Sequence, residues 1–221
     1  MTMATLPLGI LVSGSGTNLQ AVLDAVASRQ LDADVRLVVS NKPGVGALAR
    51  AQRAGVPCLV LPYRTFPDRI AFERALVEAL SRAGARWIVL AGFMRVLGPA
   101  FLDAFPGRVV NIHPSLLPAF PGVDAQRQAL EYGVRVSGCT THFVDAGTDT
   151  GPIIAQSAVP VLPDDTRDSL AARILPREHE LLVRTLQWIA DERVQILDPL
   201  DGRRPRVVLR GVEDSPPMEA S

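Results

Sequence analysis

Asn111 and His113 stand two residues apart behind the apolar pair Val109-Val110, inside the octapeptide Asn111-Ile112-His113-Pro114-Ser115-Leu116-Leu117-Pro118. At that spacing on a strand, an amide and an imidazole share one face, because strand side chains alternate with period two. Pro114 removes a ladder donor and ends the strand, which sets both polar groups at the carboxyl edge of a sheet. Open α/β sheets hold their ligands at that edge. Two donors aimed at one point can stabilise a developing oxyanion; a histidine after a strand can equally well just cap backbone carbonyls. Such a pair needs an acid to hold the imidazole charged or to shuttle protons. The loop Asp145-Ala146-Gly147-Thr148-Asp149-Thr150-Gly151-Pro152 offers Asp145 and Asp149. Spacing does not choose between them, and ordinary turn chemistry accounts for either.

The second candidate is Ser13-Gly14-Ser15-Gly16-Thr17-Asn18, between an apolar run and Leu19, Val22, Leu23 and Val26 at helical spacing. A glycine turn opening a helix aims backbone amides and the positive helix end at one point, which suits a phosphate. Ser15, Thr17 and Asn18 add side-chain donors. A dinucleotide fits less well: the third glycine of that fingerprint would fall at Leu19, and Ser40-Asn41 ends the next strand without a ribose-binding acid. The loop also lacks the Gly-Lys-Ser/Thr of a nucleotide P-loop. A monophosphate ester is the better guess, against a tight βα turn that binds nothing. His142 reads as structural or supporting, and His179 as part of a solvated helix face. The histidines have no metal-ligand spacing with Cys or Asp. Ser115 lacks a nucleophile elbow, and Cys58 and Cys139 lack polar neighbours, which disfavours a covalent intermediate.

The elements that must position these residues alternate. Strands are predicted over residues 8–13, 35–40, 56–61, 86–91 and 108–112, with helices between them from residue 19, over 45–54, and from about 70 to Gly84. That alternation predicts an α/β, Rossmann-like, mainly parallel twisted sheet flanked by helices. Beyond Pro118 a helix is predicted over 124–132, extended runs over 137–144 and 153–161, and a helix from an N-cap at 164–166 to about Ala190. Pro176 is expected to kink or divide that helix. A small C-terminal extension over 194–208 reads as a hairpin turning at Asp201-Gly202, and residues 213–221 as a disordered tail. The expected organisation is a single domain over 1–212, with halves at about 1–107 and 108–212.

Composition sets outer bounds. Hydrophobic residues make up 48% and the formal net charge is zero, which gives no electrostatic reason for nucleic acid or an anionic membrane as partner. The longest apolar run, around Trp87 to Met94, is too short to span a bilayer. No signal peptide is visible, and two isolated cysteines suit a reduced, cytoplasmic setting.

Taken together, these residues resemble the folate-dependent phosphoribosylglycinamide formyltransferase family over roughly residues 8–190. The resemblance rests on the first glycine loop with Leu19-Gln20, on Ala91-Gly92-Phe93-Met94-Arg95, on the octapeptide from Asn111, and on Asp149-Thr150-Gly151-Pro152. It implies a formyltransferase fold and transfer of the formyl group of 10-formyltetrahydrofolate to the glycyl amine of phosphoribosylglycinamide, without a metal. By resemblance, Asn111, His113 and Asp149 match the catalytic trio, and Gly14, Ser15, Gly16, Thr17 and Asn18 the ribose-phosphate loop, with Arg69 a further phosphate contact. Glu178 matches the acid that meets the glycinamide. Met94, Arg95, Val96 and Leu97 match the folate wall, together with Asn111, Asp145 and Asp149. A homodimer is compatible with the family. Methionyl-tRNA formyltransferases share part of this pattern but need a basic RNA-binding extension. Formyltetrahydrofolate hydrolases share the trio, lack the His-Pro-Ser form and carry an N-terminal regulatory domain that is not expected here. A non-catalytic binding module would keep the glycine loop and lose one of the trio.

Overall fold

The computed structural model describes residues 5–197 and 204–211. Seven strands form one sheet: β1 (Leu6–Val12), β2 (Ala33–Ser40), β3 (Cys58–Val60), β4 (Trp87–Leu90), β5 (Val109–His113), β6 (Val136–Phe143) and β7 (Ile153–Pro160). Their order is β3-β2-β1-β4-β5-β6-β7. The first five pair in parallel, and β6 and β7 join antiparallel. Each expected strand forms with its ends shifted slightly; β3 shrinks to three residues.

Helices cover both faces, as a parallel sheet requires. On one side lie α1 (Thr17–Ala27), α2 (Gly46–Arg53), α5 (Ala125–Tyr132) and α6 (Arg167–Ala190), contributing Leu19, Val22, Ala47, Ala129, Ile174 and Leu182 to one core cluster. On the other lie α3 (Arg69–Arg82) and α4 (Pro99–Leu102), whose Phe72, Leu76, Leu80 and Phe101 pack with Leu11, Val39 and Ile88. Apolar residues at i, i+4 and i+8 in α3 produce that buried stripe. One turn of helix, α4, was not anticipated, since four residues are too few to show a period.

Pro176 does not divide α6, which runs unbroken for 24 residues. The proline removes one intrahelical donor, while Ile174, Glu178, Leu181 and Leu182 on either side of it are buried and hold the helix in place. Thr166 caps its start by accepting from Ser169 N–H, in a capping box. A separate two-stranded ribbon pairs β8 (Val194–Leu197) with β9 (Arg206–Leu209) antiparallel. The expected turn at Asp201-Gly202 and the tail at 213–221 lie outside the described residues.

The topology determines where a ligand can sit. The chain lays β2 and β3 outward on one side of β1, then crosses back to place β4 and β5 on the other. The strand order reverses between β1 and β4, and ligands bind in the crevice at the carboxyl ends of such a pair. The loops after β1 and β4 carry Gly14 to Asn18 and Met94 to Leu97.

Candidate active site

Asn111 and His113 occupy β5, and their side chains meet Asp149 across a short gap. Asn111 Nδ2 lies 3.5 Å from Asp149 Oδ1, and His113 Nδ1 lies 3.3 Å from Asp149 Oδ2. The other imidazole nitrogen, Nε2, faces the Phe120 carbonyl at 2.9 Å. Both ring nitrogens thus face oxygen acceptors, and only a doubly protonated ring donates to both. His113 is buried and Asp149 nearly so. Asp149 adopts a φ of 54°, uncommon for a residue with a Cβ. It is held there by Gly122 N–H, which donates to Oδ2 at 2.7 Å. The turn after β5 is fixed in turn by Thr140, whose hydroxyl donates to Ser115 O at 2.7 Å and accepts from Leu117 N–H at 3.0 Å.

Asp145 has a different environment. Its Oδ1 accepts from Thr150 Oγ1 at 2.7 Å and from Gly147 N–H at 3.1 Å, the pattern of a self-contained turn. The geometry therefore brings Asp149, and not Asp145, to the Asn111–His113 pair.

His142 joins the cluster because β5 and β6 pair with Asn111 opposite His142. Directly opposed residues on an antiparallel pair share a face. Its Nδ1–H donates to Phe143 O at 2.9 Å, which leaves Nε2 as an acceptor for Asn111 Nδ2–H at 3.0 Å. Burial pushes the pKa of His142 down, outweighing the nearby Asp149 charge, so the ring is held neutral and can accept. The sequence reads His142 as structural or supporting; its partner lies on another strand, and only the strand register reveals the pairing.

Above these groups opens a cavity of about 620 Å³. Met94, Arg95, Val96 and Leu97 line one side, and Asp145, Thr148 and Asp149 the other. Met94 and Val96 are 62% and 53% exposed, apolar surface of the kind that marks a ligand groove. Leu97 is buried, and the Arg95 guanidinium stacks on Tyr63 at 3.4 Å from the ring centroid.

The glycine loop sits beside this cavity. Gly16 caps α1 with φ +77° and no side-chain cap, and the first turn contains no acid, so its leading N–H groups lack intrahelical partners. A Cβ on Gly16 would stand 2.6 Å from Ala47 Cα, which explains glycine there. Gly14 O accepts from Ala47 N–H and Ser15 O from Arg50 Nε–H, which fixes the loop against α2. Glu178 on α6 is 8% exposed. Burial pushes its carboxyl up to about 7, against a hydrogen bond from Asn18 that favours the charged form. Asn18 Oδ1 is buried with no partner, so this corner holds an acceptor and an acid together. Pro176 thus leaves Glu178 facing the glycine loop. Arg69, at the start of α3, has its Nε 3.4 Å from Glu73 Oε1.

No thiol competes as a nucleophile. Burial pushes Cys139 up to about 12 and raises Cys58 as well. Among the described residues no group of three or more His, Cys, Asp or Glu is arranged to hold a metal ion, and no helix is long and apolar enough to cross a membrane.

A Rossmann-like sheet with an amide, an imidazole and a carboxylate converging below a cleft at the carboxyl ends of β4 and β5 defines a class of enzyme. The model for the family described as formyl transferase matches residues 8–186, and the chain belongs to that family. Phosphoribosylglycinamide formyltransferase of Escherichia coli is 41% identical over 198 residues, spanning 88% of this chain and 93% of that protein. The trifunctional purine biosynthetic protein adenosine-3 of Drosophila melanogaster is 51% identical over 184 residues, 82% of this chain; the chain spans only 14% of that longer protein. The crystal structure of glycinamide ribonucleotide transformylase 1 from Symbiobacterium toebii superposes with a TM-score of 0.88 at 48% identity, covering 93% of this chain and 94% of that one.

Proposed function

We propose that this protein transfers the formyl group of 10-formyltetrahydrofolate directly to the glycyl amine of phosphoribosylglycinamide, a step of purine synthesis. The observation that carries the reading is the convergence of Asn111, His113 and Asp149 beneath the cavity, with Asp149 within 3.5 Å of both partners. The similarity to phosphoribosylglycinamide formyltransferases over most of the chain supports the choice of substrates.

The neutral amine attacks the formyl carbon, a C–N bond forms, and negative charge moves to the formyl oxygen. Asn111 Nδ2–H and His113 Nδ1–H donate to that oxygen: Nε2 is taken by the Phe120 carbonyl, while the 3.3 Å and 3.5 Å approaches of Nδ1 and Asn111 to Asp149 are long and leave both donors available. Asp149, 3.3 Å from His113 Nδ1, orients the imidazole and relays the proton from the attacking nitrogen to the departing folate nitrogen. The carbonyl re-forms as the bond to folate breaks, releasing tetrahydrofolate. The folate lies along Met94 to Leu97 with Asn111, Asp145 and Asp149 opposite. Gly14 to Asn18 hold the ribose phosphate and Glu178 meets the glycinamide. Arg69, at the start of α3, is a further proposed contact for the phosphate.

In this reading the described chain works as one formyltransferase domain. The cytoplasm is its proposed compartment, consistent with two free cysteines. A homodimer is its proposed assembly, which light scattering tests. Labelled 10-formyltetrahydrofolate and phosphoribosylglycinamide should yield a formylated nucleotide carrying the label by mass spectrometry. Label appearing only as free formate would contradict the proposal and indicate a hydrolase.

A further inference from the structure

We infer that Ser13 is a positioning residue for both substrates at once, clamping the phosphate loop to the folate wall across the switch-point crevice. The inference rests on the formyltransferase reading and adds a residue that reading did not use.

Ser13 follows β1 and is only 5% exposed. Its N–H donates to Gly92 O at 3.1 Å. Its hydroxyl accepts from Met94 N–H at 2.9 Å and donates to Asn41 Oδ1 at 2.7 Å. Asn41, after β2, is buried as well. One small side chain thus joins the carboxyl ends of β1, β2 and β4. Gly14, the first residue of the phosphate loop, is bonded directly to it. Met94, the first residue of the cavity wall, hangs on its hydroxyl while exposing its own side chain. The loop is also braced from behind by α2 through Gly14 O and Ser15 O, so a shift at Ser13 is not absorbed there. Without the hydroxyl, Met94 N–H and Asn41 Oδ1 both lose a partner in a buried setting. The two half-sites are then tied only by the main-chain bond from Ser13 N–H to Gly92 O, which does not reach Met94, and occupying one no longer helps to order the other.

Calorimetric titration tests this with unformylated tetrahydrofolate and phosphoribosylglycinamide, which cannot react together. In the parent protein each should bind more tightly when the other is saturating. In Ser13→Ala, each should bind about tenfold more weakly, as expected for one lost buried hydrogen bond, and the mutual gain should vanish. Saturating kcat should change much less than either KM, and Ser13→Thr should restore the coupling. Asn41→Ala, which spares the Ser13–Met94 bond, should show a smaller loss at both sites and gives the answer if Ser13→Ala folds poorly. Unchanged affinities, a loss confined to one ligand, or coupling intact beside a lowered melting temperature would each overturn the inference alone. A parent protein that binds neither ligand would overturn the formyltransferase reading and the inference with it.

Discussion

Replacing Asn111 with alanine should separate two jobs that its side chain performs. One N–H is bonded to His142 Nε2 at 3.0 Å, and the other points weakly at Asp149 from 3.5 Å, where the formyl oxygen is proposed to bind. Losing an oxyanion donor costs about 3 kcal/mol of barrier, so kcat should fall about 10²–10³-fold with little change in KM. Separately, His142 Nε2, on a ring 2% exposed, loses its partner. An orphaned buried acceptor costs about 1–3 kcal/mol, a melting temperature lower by roughly 2–12 °C in a chain of this size. Adding His142→Leu removes the orphan and should recover most of that stability without recovering turnover. The assays are steady-state formyl transfer and thermal denaturation of the two variants. A kcat within about threefold of the parent would refute the oxyanion role. Stability unchanged in Asn111→Ala would refute the His142 pairing.

His113→Ala and Asp149→Ala should each reduce kcat by about 10² or more while leaving the fold intact by circular dichroism; near-normal turnover in either sinks the mechanism. Glu178 predicts a pH dependence of stability. Its carboxyl is pushed up to about 7 from an ordinary 4.5, so the folded protein keeps a proton that the unfolded chain releases between those values. Its contribution is therefore full below about 4.5 and is lost as pH rises through about 7, by about 3 kcal/mol in total. Glu178→Gln should accordingly gain melting temperature over the parent as pH rises, while its KM for phosphoribosylglycinamide increases; a difference independent of pH would contradict the buried-acid account. Gly16→Ala forces a Cβ to within 2.6 Å of Ala47 backbone at φ +77°. It should cost about 1–3 kcal/mol of stability and weaken phosphate-ester binding, with unaltered KM for the folate as the control; normal KM for both substrates would refute the loop assignment.

Much of this architecture was legible in the sequence because the relevant signals are local. The apolar runs that become β1, β2, β4 and β5 lie between helix-period segments, and that alternation alone specifies a mainly parallel sheet. The spacing of Asn111 and His113 before Pro114 placed both on one face of a strand end, as found. What the sequence left open depends on partners distant along the chain. Asp145 and Asp149 sit in one loop and spacing gives them equal claims; the resemblance favours Asp149, and the 2.7 Å anchor from Gly122 N–H with the reach to His113 supplies the physical reason. His142 becomes an acceptor for Asn111 through strand register, and Ser13 becomes a clamp through three strand ends that meet only in the folded sheet. At Pro176 the opposite holds: the local rule against proline in helices predicts a kink or a break, and the break does not occur, because Ile174, Leu181 and Leu182 around it are buried.

The most direct test of the central claim is tetrahydrofolate release from 10-formyltetrahydrofolate, followed with and without phosphoribosylglycinamide, in the parent protein and in His113→Ala. Release that requires the glycinamide nucleotide and collapses in His113→Ala is the predicted result. Release at the same rate without the nucleotide, or undiminished in the variant, would contradict the account.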